Sequence, residues 1–424
     1  MKLKLVVKKK ILYNKILKFF LIIGFTYCSG YAFGNVGLWQ LKIIMSLIIL
    51  FSAIAWNVEK PLNDGYIVKV KSKIFNWYYG LLLFPMLLSI LAYFPDTLHA
   101  FLSNAIYTIT IIFIFTAAYI LIKKIPVEKI SNEFVNVMVF FSAVSSFMYL
   151  VPPVAKFFSV GEFYTANGVH YINGILWFTL IGKDACIGPF WEGGLFGSYI
   201  VLALVCIIFY KPKLQGVKLS ILLLAAYLTH STATYILLLL VAVLFILHYS
   251  DRTFNKCIGV LLIISIILVL FYSDALLSAL SKLNPEVFGK LIDISSKTRL
   301  SRLNSPIVNL LVFAKNPLLG NGFAGAGDIY YLLANNLGYF IDAQTSTSTF
   351  MMAVCGICGV AYTAIPLIQI MRNKRYNIFS RLIYALIIIA ILNKEPHYAL
   401  AMTYIILMIS VRQGEIGSIR NERL

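Results

Sequence analysis

The feature that most constrains this 424-residue chain is a recurring apolar block close to the ~20 residues needed to cross a bilayer's hydrocarbon core. The blocks run Leu17–Phe33, Leu38–Trp56, Phe75–Phe94, Ala100–Ile122, Phe134–Val151, Leu195–Phe209, Leu219–Leu228, Thr232–His248, Ile258–Phe271, Thr347–Ile370, Leu382–Leu392 and Ala399–Ile409. The stretch Leu219–His248 is too long for one crossing and polar at Thr229, His230, Ser231 and Thr232, so a tight turn divides it. Charged residues make up only 12% of the chain, about half the share of a soluble domain. These observations imply an all-α polytopic membrane protein of about twelve transmembrane helices, forming a single membrane domain over residues 1–424. The lysine-rich start leads into the first block without a small-residue cleavage site, so that block is expected to be retained.

Charge distribution assigns the sides. With the N-terminus inside, the cytoplasmic segments are the N-terminus, Asn57–Ile74, Lys123–Glu133, Lys211–Lys218, Ser250–Lys256, Arg372–Arg381 and the tail from Arg412. They hold 26 of the 36 Lys and Arg and 7 of the 17 Asp and Glu, an excess equal to the whole net charge of +19. The basic balance is therefore a topology signal, and no nucleic-acid partner is expected. Both termini fall in the cytoplasm. Two external loops are long, about 152–192 and 272–346, and long loops of this kind usually carry function.

The larger loop reads as partly helical. Asn284-Pro285 resembles a helix cap with proline at the first position. Arg299 and Arg302, three apart, share a helical face. Ser305-Pro306 is expected to open a second helix, which Pro317 and Gly320 end. Paired guanidinium forks suit a phosphate or pyrophosphate, although a merely solvated face has the same composition. The run Gly320-Asn-Gly-Phe-Ala-Gly-Ala-Gly327 contains GxGxxG, but no strand precedes it and it lies outside, so a turn is expected rather than a dinucleotide site.

The other loop ends in Lys183-Asp-Ala-Cys-Ile-Gly-Pro-Phe-Trp-Glu192, where a crossing begins. Glu192 at that helix's N-terminus is favoured by the helix dipole, and a partly desolvated carboxylate there can also act as a general base. Trp191 is either an interface aromatic or a sugar-stacking platform. Lys42, about a turn inside the second crossing, either snorkels or adds a cation for an anionic headgroup. No His pair has metal-ligand spacing and no DxD stands in the long loops, so neither metal nor cofactor is expected. The six cysteines give no disulfide framework, and Cys355 and Cys358 read as small apolar residues inside a helix.

Three segments together resemble the O-antigen polymerases (Wzy type), within the superfamily that also holds the O-antigen ligases. Gly188-Pro-Phe-Trp-Glu-Gly-Gly-Leu-Phe-Gly resembles the family's "G-x-F-W-E-P" start of a crossing. Thr229-His-Ser-Thr-Ala-Thr-Tyr-Ile resembles "T-x-S-x-x-x-Y-I", and Asn316-Pro-Leu-Leu-Gly-Asn-Gly-Phe resembles "P-L-x-G-x-G". Ser346-Thr-Ser-Thr-Phe and Gly356-Ile-Cys-Gly-Val follow as the next crossing opens. The likeness covers roughly residues 183–400. Two positions depart from the pattern: Lys183 stands where an arginine is common, and Gly193 replaces the proline. Ligases carry a histidine-asparagine pair where this chain has Asp342-Ala-Gln-Thr-Ser, which favours polymerase over ligase.

The resemblance implies metal-independent glycosyl transfer at the outer face of a bacterial inner membrane. A glycan would leave undecaprenyl pyrophosphate and join a hydroxyl of a new lipid-linked repeat unit, giving O-antigen or capsule. Arg299 and Arg302, helped by Lys183, would stabilise the leaving pyrophosphate, and Glu192, or else His230, would take the acceptor proton. Trp191 and Lys42 would contact the substrate. The implied partners are the lipid-linked oligosaccharide, the bilayer, a chain-length regulator and a flippase. The competing expectation is that the chain itself is a flippase or another twelve-helix carrier, against which stand its unlike halves and nearly uncharged crossings.

Overall fold

The computed structural model describes residues 21–30, 39–58, 73–92, 98–164, 169–182, 185–210, 215–249, 297–339, 344–394 and 396–421. Its helices in chain order are α1 Trp39–Val58, α2 Lys73–Ala92, α3 Leu98–Lys124, α4 Val127–Leu150, α5 Pro152–Phe157, α6 Gly193–Tyr210, α7 Gly216–Leu228, α8 Thr232–Tyr249, α9 Lys297–Lys315, α10 Gly322–Asn336, α11 Thr347–Cys355, α12 Ile357–Arg372, α13 Ile378–Leu392 and α14 Ala401–Asn421. Residues 21–27 are also helical. Every apolar block from Leu38–Trp56 to Thr232–His248, and from Thr347–Ile370 onward, carries a helix. The block Ile258–Phe271 lies outside the described residues. Among the described residues, α2, α3, α4, α6 and α8 are long and apolar enough to cross a membrane, and α1, α7, α12 and α13 carry shorter apolar stretches. The chain is thus a mostly helical, membrane-embedded protein.

It divides into two compact units. One comprises residues 1–66, 113–234 and 400–405, the other residues 67–112, 235–399 and 406–424. At the heart of the first is α6, which is apolar on all sides and almost wholly buried, as a helix without a polar face must be. It packs against α4 and α7. The Tyr199 hydroxyl of α6 donates to the carbonyl of Ser29, whose own hydroxyl accepts the N–H of Met402 at 2.7 Å.

The loop between α4 and α6 departs from an all-helical reading. After the short helix α5, strands β1 Gly161–Tyr164, β2 His170–Asn173 and β3 Phe178–Leu180 form an antiparallel sheet in the order β1-β2-β3. Tyr171 pairs with Phe163 on one side and Leu180 on the other. Its face buries Tyr171, Phe178, Leu180 and Ile187 as a separate small core.

In the second unit α9 packs along α11, and α2 and α13 flank α12. Two expectations are corrected here. Ser305-Pro306 starts no new helix, because α9 runs unbroken from Lys297 to Lys315 through Pro306. The proline forfeits one intrahelical bond, and burial of Ser305, Val308, Asn309 and Val312 on the face that meets its neighbours offsets that loss. The block Thr347–Ile370, read as one continuous crossing, is broken at Gly356 (φ 59°, ψ −142°) into α11 and α12.

The Asn316–Gly322 turn fits that break. Asn321 N–H donates to Ala353 O at 2.9 Å, and Ile357 N–H to Pro317 O at 2.8 Å. Asn321 Nδ2 donates to the carbonyls of Val312 and Ala353, and Asn316 Nδ2 to Gly320 O. The "P-L-x-G-x-G" segment therefore satisfies the orphan amides and carbonyls of a broken helix. The later glycines of the GxGxxG run lie inside α10, as helical residues.

Candidate functional site

The first unit gathers the chemistry of the α4–α6 loop at the start of α6. Backbone bonds fix the approach: Cys186 N–H donates to Leu228 O (2.8 Å), Phe178 N–H to Gly188 O (2.8 Å), and Trp191 N–H to Gly30 O (3.2 Å). Phe190 is fully buried, its ring 5.0 Å from that of Tyr199. Glu192 then takes the position before the first helical residue, and its carbonyl accepts the Phe196 N–H. The sequence expectation for Glu192 at a helix start thus holds.

The Glu192 carboxylate is poorly provided for. Its Oε1 is shut off from solvent and has no hydrogen-bond partner. Beside it stands Tyr171, unremarkable in the sequence, whose hydroxyl donates to Trp191 O at 2.7 Å. Burial, and secondly the Glu192 charge, push the Tyr171 hydroxyl up to about 12, so it remains a proton donor at neutral pH. Trp191 is half-buried and its ring packs against the sheet's core and over Gly30, where it fills space. Cys186 is buried, and that burial, only partly opposed by the Gly188 amide, pushes its thiol up to about 12 and favours the protonated form.

The α7–α8 turn comes to the same place. A Cβ on Gly193 would stand 2.6 Å from Thr229 O, so only glycine lets the α6 start lie against this turn. His230 follows with φ 46°, an uncommon backbone state for a residue with a side chain. Its ring lies 6.4 Å from that of Tyr149 and 6.1 Å from that of Tyr227, centroid to centroid. Ser231 Oγ caps α8 by accepting the Thr234 N–H. The structure therefore brings the Glu192 segment and the His230 turn together.

The arginines belong to the second unit. Arg299 and Arg302 lie on the first turns of α9, with the Arg302 side chain exposed. One turn on, Ser305 Oγ accepts the N–H groups of Thr345 and Ser346 at 3.0 and 3.4 Å. Asn309 Nδ2 donates to Ser346 O and Thr349 Oγ1, and Ser346 Oγ donates to Asn393 Oδ1 at 2.8 Å. His397 N–H donates to Thr347 Oγ1 at 2.7 Å. This buried polar cluster pins the arginine helix to the start of α11. The sequence marked Ser305 as a helix start and Ser346 to Thr349 as part of a resembling segment, but nothing in it joined the two. Lys42 stands in α1. Lys183 and Asn284-Pro285 lie outside the described residues. Among the described residues no three His, Cys, Asp or Glu side chains are grouped to hold a metal ion.

No family model matches this chain, and no curated protein matches it.

Proposed function

We propose that the chain polymerises undecaprenyl-pyrophosphate-linked oligosaccharide repeat units into a surface polysaccharide at the outer face of a bacterial inner membrane. The observation that carries the reading is the Glu192 carboxylate, held at a helix N-terminus with one oxygen buried and unpartnered beside the His230 turn. A carboxylate so placed is an acceptor awaiting a donor, and a sugar hydroxyl is such a donor. The order of the three resembling segments, two of which meet at this place, supports the same reading.

In the proposed step the acceptor hydroxyl oxygen bonds to the anomeric carbon of the growing glycan as its proton passes to Glu192. The bond from that carbon to the pyrophosphate oxygen breaks, and the electron pair leaves with undecaprenyl pyrophosphate. Arg299 and Arg302, with Lys183, stabilise the departing anion. The sugar arrives activated on lipid, so no nucleotide and no metal is required.

Two experiments test this. Replacing Arg299 and Arg302 with alanine, or making Glu192→Gln, is expected to collapse the long-chain polysaccharide ladder to single repeats with the protein still in the membrane. An unchanged ladder removes the residue from the mechanism. In proteoliposomes supplied with lipid-linked repeat units, a polymerase lengthens the glycan. A flippase moves it unaltered, and a ligase transfers it to a different acceptor.

A further inference from the structure

Helix α2 carries a second feature, unrelated to the loops. Lys73, Asn76, Trp77, Gly80, Leu81 and Phe84 recur at intervals of three and four and so form one stripe along the helix. Five of the six are exposed and Leu81 is half-buried. The opposite face, with Phe75, Tyr78, Leu82 and Met86, is fully buried, and the Tyr78 hydroxyl donates to Tyr362 O of α12 at 3.0 Å. Asn76, Trp77, Gly80, Leu81 and Phe84, with Cys358 of α12, line an open groove of about 390 Å³. The hollow exists because position 80 has no side chain: a Cβ there would meet no atom within 4 Å.

Its length and lining narrow the occupant. From Lys73 to Phe84 the helix rises about 16 Å, which is one leaflet of a hydrocarbon core about 30 Å thick. That length suits a lipid's hydrocarbon chain. The walls are apolar, and one end carries an amide and then an exposed ammonium group, so the groove is amphiphilic along its length.

We infer that this groove is a specific site for one anionic glycerophospholipid, its acyl chain along Trp77, Gly80, Phe84 and Cys358 and its phosphate at Lys73. By the charge distribution Lys73 faces the cytoplasm, whose leaflet presents anionic lipid to basic residues. The same orientation distinguishes this lipid from a lipid-linked substrate, whose headgroup would lie at the external loops. The inference does not depend on the polymerase reading.

Native mass spectrometry tests it on full-length protein released from nanodiscs of equal phosphatidylglycerol and phosphatidylcholine. Wild type is expected to retain one phosphatidylglycerol through delipidation, preferred about fivefold over phosphatidylcholine. Gly80→Leu should fill the groove and lose the adduct. Lys73→Glu, at an exposed position that leaves the groove intact, should keep an adduct and lose the preference. Wild type without a retained lipid, Gly80→Leu retaining it as wild type does, or Lys73→Glu still preferring phosphatidylglycerol each overturns the assignment, as does a retained species that is not a glycerophospholipid.

Discussion

At the scale of single residues, the sequence reveals a side chain's place along the chain better than its surroundings. Glu192 could be placed at a helix start because an apolar block begins just after it. Tyr171 could not be found, since it is one of 26 tyrosines and its role depends on strand pairing that no periodicity announced. His397 is intermediate: its place between two apolar blocks was legible, its burial was not. The ring is fully buried, and burial, with the Lys394 ammonium second, pushes it down to about 3. Its folded value lies below the ordinary 6.5 of an unfolded chain. The unfolded state therefore binds the extra proton, and the stability contributed by the neutral ring is complete above pH 6.5 and lost as pH falls from 6.5 towards 3. Thermal melting of the purified protein should show that decline, and His397→Gln should flatten it while lowering the melting temperature at pH 7. An equally steep decline in the variant would locate the titration elsewhere.

At the scale of elements, what was legible was apolar length and what was not was interruption. The apolar pattern runs straight through Gly356, because lipid and neighbouring helices ask for the same side chains on both sides of a break. Conversely, Pro306 announced an interruption that tertiary packing overrides. The glycines of the 320–327 run separate these cases. Gly320 has φ 78°, and a Cβ on it would lie 2.2 Å from Val354 O. Gly327 is helical and a Cβ there would meet nothing within 4 Å. Gly320→Ala should therefore destabilise the protein by at least about 2 kcal/mol, through strain and displacement of the α11–α12 break. Gly327→Ala should be neutral or stabilise by up to about 1 kcal/mol. Chemical denaturation in detergent measures both. Equal losses at the two positions would mean that the glycine run serves a ligand rather than a turn.

At the scale of the whole molecule, the charge distribution makes a claim about direction that the structure meets within each unit. Crossings five and seven should both run outward, and α4 and α7 do run alike: Lys218 Nζ at the start of α7 donates to Asn136 Oδ1 in the first half of α4, and the ring of Tyr149 at the end of α4 lies 6.4 Å from that of His230 just past α7. The α6 helix should run inward, and its first residue meets the last turn of α7. In the other unit Gly322, read as external, packs on Ser89 near the end of the outward-running α2. The start of α13 meets the end of α8, where Asn377 Nδ2 donates to Leu247 O, and both ends were read as cytoplasmic. Relative direction is thus fixed by contacts, and absolute direction by charge alone. Cysteine scanning tests the second. In a variant lacking native cysteines, Tyr164→Cys, 63% exposed in the sheet, should react with a membrane-impermeant maleimide on intact spheroplasts. Val217→Cys, 76% exposed at the start of α7, should react only after permeabilisation. The reverse pattern would invert the protein and move Glu192 to the nucleotide-containing side, where a lipid-activated donor would no longer be needed. Labelling of both from one side would break the alternation on which every assignment of sidedness depends.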